Sequence, residues 1–264
     1  MKLHYPSELP VVAHREEILD ALRNNDVVIV FGDTGSGKTT QLPKMAIELG
    51  RAADGRCVAV TQPRRMATVA MAERVADELH SPIGGLVGFQ HRFQRKVSQD
   101  TRIKFMTDGM LLSETRHDPL LKAYDTIIVD EAHERSLNID FLLGIIKRLL
   151  SRRHDLKVIV SSATLDVKGF SRFFGCAPVI EVPGRLYPVD VAYRPPLDGE
   201  DVDIAGEVTQ AVSSLPAQGD VLVFLSGERD IRECAERLRG RFGESNEIIP
   251  LYASLPSGEQ RRDL

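Results

Sequence analysis

Short apolar runs alternate with stretches of helical period along most of the chain. Val27–Phe31, Cys57–Thr61, Ile103–Met106, Thr126–Val129, Lys157–Val160 and, later, Asp220–Leu225 are four to six residues long, rich in valine and isoleucine. Runs apolar nearly throughout predict strands covered on both faces, whereas half-exposed hairpin strands alternate. Between them, Ala13–Asn24 places Ile18, Leu19 and Leu22 on one helical face, and Arg65–Leu79 repeats apolar residues at Met66, Val69, Ala70, Val75 and Leu79. Ile139–Leu150 is more apolar and predicts a more deeply buried helix. Strand and helix in alternation predict an α/β fold, a doubly wound parallel sheet with right-handed crossovers and its loops gathered at the strand carboxyl ends.

The pattern changes at Val182-Pro183-Gly184-Arg185-Leu186-Tyr187-Pro188, and prolines and acidic residues follow through Pro195-Pro196 to Asp203. This predicts a boundary near residue 183, with one lobe over residues 1–183 and a second over 184–264. The second carries helical patterns at Ile204–Leu215 and Glu228–Arg239 and strand patterns at Asp220–Leu225 and Ile248–Tyr252. At about 80 residues it is short for a complete doubly wound domain.

Composition narrows the class. Of 264 residues, 27% are charged and 42% hydrophobic, which fits a globular chain and excludes a disordered or collagen-like one. No apolar run reaches the roughly 18–20 residues that cross a bilayer. The start, Met1-Lys2-Leu3-His4-Tyr5-Pro6, has no apolar signal core. Cys57, Cys176 and Cys234 lie far apart with no C-x-x-C spacing, which predicts reduced thiols in a cytoplasmic setting and no zinc site. The net charge of −4 means that any site for a polyanion is a local groove.

Directly after Val27–Phe31 comes Gly32-Asp33-Thr34-Gly35-Ser36-Gly37-Lys38-Thr39, which fits G-x-x-x-x-G-K-[ST]. Glycines let such a loop turn tightly so that successive N–H groups face phosphate oxygens, at the positive end of the next helix. Lys38 is placed to reach the β- and γ-phosphates and the Thr39 hydroxyl to sit on Mg²⁺, with Thr40 completing the nucleotide-binding set. Pro43, inside the following helix, predicts a local kink.

The apolar run Thr126–Val129 leads into Asp130-Glu131-Ala132-His133. Two acids at a strand end stand on the same edge as the phosphate loop. Asp130 suits Mg²⁺, and Glu131 suits orienting and deprotonating the water that attacks the γ-phosphate. His133 is a donor and acceptor able to sense an opposite lobe, though a lone histidine also fits a structural role.

The loop Gly32–Thr39, followed at this distance by Asp130-Glu131-Ala132-His133-Glu134-Arg135, resembles the DEAH-box helicases of superfamily 2. Thr61-Gln62-Pro63-Arg64-Arg65 is similar to motif Ia, Thr107-Asp108-Gly109-Met110-Leu111 to motif Ib and Ser162-Ala163-Thr164 to motif III. Pro183-Gly184-Arg185 with Tyr187-Pro188-Val189 resembles the inter-lobe linker. Leu222–Arg229 resembles motif IV, and both it and Leu251–Leu255 with Glu259-Gln260-Arg261 are closest to the bacterial HrpA branch.

The resemblance implies a RecA-like first lobe, the start of a second RecA-like lobe, and ATP with Mg²⁺ as the ligands. It also implies single-stranded RNA as partner, held through its backbone with little sequence specificity, and translocation from 3′ toward 5′. Arg64, Arg65 and Thr107 would grip RNA phosphates; Arg64 and Arg65 also fit a solvated basic face paired with Glu73 or Asp77. Ser162 and Thr164 would couple the magnesium side to the RNA side, and also fit a turn or cap. Arg74, equally a solvated helix arginine, would stack on the adenine. Helicase motifs V and VI do not occur before Leu264, so the resemblance implies the amino-terminal part of a longer helicase with weak turnover by itself. A phosphate-loop enzyme of another class and a nucleotide-gated RNA clamp without turnover remain as alternatives.

Overall fold

The structure, a computed structural model, describes residues 3–163, 167–184, 189–195, 203–216, 218–252 and 255. The chain divides into two compact units, Met1–Tyr187 and Pro188–Leu264.

In the first unit, chain order runs α1 (Pro10–Ala13), α2 (Arg15–Asn24), β1 (Val27–Gly32), α3 (Lys38–Glu48), β2 (Cys57–Gln62), α4 (Arg65–Glu78), β3 (Val87–His91) and β4 (Gln94–Lys96). It continues through β5 (Ile103–Thr107), α5 (Asp108–Glu114), β6 (Tyr124–Val129), α6 (Leu137–Leu150), β7 (Lys157–Ser162), α7 (Val167–Phe173) and β8 (Val179–Val182). The strands form one sheet in the order β4-β3-β5-β2-β6-β7-β1-β8, parallel throughout except for antiparallel β4.

Successive residues of a strand point to opposite faces, and each face has its own core. Val28 and Val30 of β1, Val58 and Val60 of β2 and Ile128 of β6 pack with Ile18, Leu42, Met45, Val75 and their neighbours from α2, α3 and α4. Val27, Ile29, Ala59, Ile127 and Val129 pack instead with Leu111, Ile139, Leu142, Ile146 and Phe170 from α5, α6 and α7. Two covered faces explain why the central strands read as unbroken apolar runs. Helix α6 is fixed at its start by Ser136, whose Oγ accepts from the Ile139 N–H at 3.2 Å, and carries Lys147 and Arg148 at its carboxyl end.

Three strands escape the apolar pattern. In β3 only Val87 and Phe89 are apolar, β4 is exposed along its length, and β8 buries alternate residues because it lies at the sheet margin. Pro43 leaves α3 continuous from Lys38 to Glu48.

The second unit, taken by itself, contains α8 (Ile204–Ser213) and α9 (Glu228–Phe242). Asp203 caps α8 by accepting from the Gly206 N–H, and Arg237 of α9 donates to both oxygens of Asp203 at 2.8 and 2.6 Å. The strand expectations for Asp220–Leu225 and Ile248–Tyr252 are corrected: neither segment joins a ladder among the described residues. An apolar strand needs hydrogen-bonded neighbours and cover on both faces, whereas Leu222 and Phe224 are 79% and 86% exposed.

Gly32, at the end of β1, is the tightest backbone approach in the first unit's site. A Cβ there would lie 1.9 Å from the Val182 carbonyl oxygen, and φ is +153°. Gly32→Ala is therefore expected to cost more than about 3 kcal/mol by pushing β8 from β1. Gly50→Ala, at φ +77° with open space around the new methyl, should cost only about 1–2 kcal/mol. Urea unfolding of the two variants separates close approach from backbone strain.

Candidate active site

β1 ends in Gly32, and the chain turns through Asp33–Gly37 into α3. Gly35 and Gly37 have φ of +82° and +89°, which glycine adopts without steric cost. Lys38 Nζ donates to Gly32 O at 2.6 Å, Asp33 O at 2.8 Å and Ser36 Oγ at 2.9 Å, so the loop's own oxygens occupy all three ammonium donors. Burial pushes the Lys38 pKa down, while the carboxylates of Asp130, Glu131 and Asp33 pull it back. The back of the loop is braced: the Val11 N–H donates to Ser36 O at 3.0 Å, and the Leu9 and Val11 side chains stand against Gly37. Thr34 and Gly35 are exposed at the loop's tip, and Thr40 Oγ1 donates to Gly37 O at 3.3 Å.

Strand β6 delivers Asp130 to the same edge. Thr39 Oγ1 donates to Asp130 Oδ2 at 2.5 Å, and Gln62 Nε2, from the end of β2, donates to that same oxygen at 2.5 Å. Neither donor engages Oδ1. A hydroxyl and a carboxylate in direct contact are hard oxygen donors of the kind magnesium takes, so this pair fits that ion.

Glu131 has φ +52° and ψ +36°. For a residue with a Cβ this left-handed conformation costs about 1–2 kcal/mol, and such strain collects at functional positions. Burial and the neighbouring Asp130 push the Glu131 pKa up, against the opposing pull of His133 and Lys38. A carboxylate so placed is a better proton acceptor. His133 lies in a short 3-10 helix (Ala132–Glu134), with Nδ1 accepting from the Ala163 N–H at 3.2 Å and 3.4 Å from Glu131 Oε2. That contact ties the acidic turn to the end of β7. Ser162 is buried beside Ala163; Thr164 lies outside the described residues.

Arg64 and Arg65 open α4, and Thr107 closes β5 as the N-cap of α5, all at the carboxyl edge. Arg64 pairs with Glu134 at 3.1 Å, and the Arg65 guanidinium stands 4.5 Å from the Phe93 ring centre. Phe93 is 68% exposed at the tip of the β3–β4 hairpin beside Arg92. Because β3 runs parallel to β5, this tip lies on the same edge as Thr107. In the sequence, an aromatic among Arg92, Arg95 and Lys96 is the signal of this hairpin tip. Gln62 was missed for want of a charge, and the brace at Leu9–Val11 for want of any motif.

Arg74 lies on the exposed side of α4. Its Nε donates to Glu78 Oε1 at 2.8 Å, and Glu78 also accepts from Lys44 at 2.7 Å and Gln41 at 2.9 Å. Gln41 donates in turn to Thr40 Oγ1 at 2.8 Å, so Arg74 is linked to the phosphate-loop helix through one carboxylate.

A family model for the DEAD/DEAH box helicase matches residues 13–173. The ATP-dependent RNA helicase HrpA of Escherichia coli (strain K12) is 52% identical over 267 residues, 99% of this chain and 20% of that protein. A homolog of it from Haemophilus influenzae is 49% identical, covering 98% of this chain and 20% of its own length. The HrpA of Borreliella burgdorferi is 45% identical over 97% of this chain and 31% of that protein. The chain thus spans about a fifth to a third of the length of these relatives.

Asp108 adds a titratable group behind the edge. It is 3% exposed, and neither its Oδ1 nor the Thr61 Oγ1 has a hydrogen-bond partner of normal geometry. Burial pushes its pKa up to about 6; the Thr61 hydroxyl holds it back, and Glu134 and Asp130 add to the rise. Between its unfolded value and about 6 the folded chain holds this proton and the unfolded chain does not. The contribution of Asp108 to stability therefore falls as pH rises through that window, and its cost is complete above about 6. Asp108→Asn is expected to raise stability at pH 8 by up to about 3 kcal/mol, with little of that gain left at pH 4. Urea unfolding of both proteins at the two pH values checks it.

Proposed function

The chain belongs to the DEAD/DEAH box helicase family, and from that premise we propose that it binds ATP with Mg²⁺ and single-stranded RNA and couples hydrolysis to movement along the strand. The observation that carries this reading is the 2.5 Å contact between Thr39 and Asp130, which joins the phosphate loop to the acidic strand end.

In this reading, Lys38 exchanges its loop carbonyls for phosphate oxygens, replacing neutral acceptors with charge-assisted ones. Thr39 and Asp130 hold the magnesium ion, which when bound offsets charge on the β- and γ-phosphates. Glu131 orients the attacking water and takes its proton. His133, with Ser162 and Thr164, relays the state of that centre to the end of β7. Arg64, Arg65 and Thr107 hold RNA phosphates, and Arg92 and Phe93 at the hairpin tip extend the same edge. Such contacts bind with little regard to sequence. Arg74, steadied by Glu78, offers its guanidinium plane to the base, which discriminates weakly among nucleotides.

Residues 184–264 are read as the amino-terminal part of a second RecA-like lobe, within a longer motor that moves from 3′ toward 5′ in the cytoplasm. The similarity to longer proteins described as ATP-dependent RNA helicases supports the motor part of this reading.

Equilibrium binding of a fluorescent ATP analogue with Mg²⁺ tests the reading. Lys38→Ala is expected to weaken binding at least about tenfold, because it removes the one ammonium in the loop. Glu131→Gln is expected to bind analogue and RNA as the parent does while abolishing the parent's weak ATP turnover. Unchanged analogue binding by Lys38→Ala would overturn the site, and unchanged turnover by Glu131→Gln would remove the base.

A further inference from the structure

Gln62 stands where three functional segments meet. Its side chain is buried, 3% exposed, and its Nε2 donates to Asp130 Oδ2 at 2.5 Å. Its backbone lies opposite Thr107 in the β2–β5 ladder. Two and three residues further on come Arg64 and Arg65. On the other side of β2, Thr61 is in register with Val129, the residue before Asp130. No other described residue both bonds the acidic group and lies in the ladder between it and the strand-gripping edge.

The chemistry of the contact gives it leverage. An amide donor on a buried carboxylate is a charge-assisted bond, stronger than one between neutral groups. Thr39 and Gln62 share Oδ2, so together they fix the plane of the carboxyl and decide which way Oδ1 is presented. Gln62 thus touches Asp130 through its side chain and adjoins Thr107 and the turn to Arg64 and Arg65 through its backbone.

We infer that Gln62 is a positioning residue that couples the RNA-gripping edge to the nucleotide centre by holding Asp130. This rests on the reading above that the chain binds both ligands. Coupling is reciprocal: if RNA changes the affinity for nucleotide, nucleotide changes the affinity for RNA by the same factor.

The test is anisotropy of a labelled single-stranded oligouridylate on the chain, with and without Mg²⁺ and a non-hydrolysable ATP analogue. The parent chain is expected to shift its RNA affinity at least about fivefold on adding analogue. In Gln62→Met, which keeps the volume and loses the donor, the shift should fall below about twofold, while the variant still binds each ligand when it is added alone. Gln62→Asn, polar but too short to reach Asp130, should behave the same way and covers failure of the methionine variant to fold. Coupling retained by either folded variant overturns the inference. So does outright loss of RNA or nucleotide binding in both, which marks Gln62 as merely structural, and so does a parent that binds both ligands without any shift. A parent that binds neither ligand overturns the functional reading itself.

Discussion

The hydroxyl of Thr39 and the carboxylate of Asp130 come from segments 91 residues apart and meet at 2.5 Å. Their meeting depends on direction. β1 and β6 both run parallel to the β7 strand between them, so both end on the same edge and deliver their following residues to one side of the sheet. Reversing either strand would send its loop to the far edge. A charge-assisted hydrogen bond contributes only about 1.5–3 kcal/mol, far too little to hold three strands in register. The two apolar cores do that, one on each face, and the contact reports their work more than it supports it.

Parallel strands with covered faces are also what made the centre of the sheet legible. Val27, Val28, Ile29 and Val30 are all buried because alternate residues enter different cores, and a run apolar on both faces stands out in a sequence. The margins were illegible for the complementary reason. β8 buries only Ile180 and Val182, and β4 buries nothing; a strand with one face or none covered need not be apolar. Asp220–Leu225 shows the limit from the other direction, since its apolar run has no ladder among the described residues. Pattern announces a capacity for pairing, and a neighbour decides whether it is used.

The site followed the same logic. Lys38, Thr39, Asp130 and Glu131 are readable because phosphate chemistry demands particular side chains at particular spacings. Their supports are not, because many residues could supply the same support. A backbone N–H from Ala163 fixes the His133 ring, the Val11 N–H holds the loop at Ser36, and an amide from Gln62 orients Asp130. Two of these three use main-chain donors that every residue but proline carries, so no side-chain code marks them.

Charge distribution explains how a chain of net charge −4 can still receive a polyanion. Asp130, Glu131, Glu134 and Asp108 gather at the carboxyl edge, and the pKa values of Glu131 and Asp108 rise, through burial first and the neighbouring carboxylates second. Lys38 is nevertheless bonded only to carbonyl and hydroxyl oxygens. An incoming phosphate therefore breaks no ion pair at that lysine, and exchanges neutral acceptors for charged ones in a half-buried setting where the gain is larger than in water. Asp130 is held by uncharged donors, Thr39 and Gln62, so its charge stays available to a divalent cation. Using neutral partners on both the base and the acid keeps the loop and the acidic turn from neutralising each other, which a direct lysine–aspartate bond in the same place would have done.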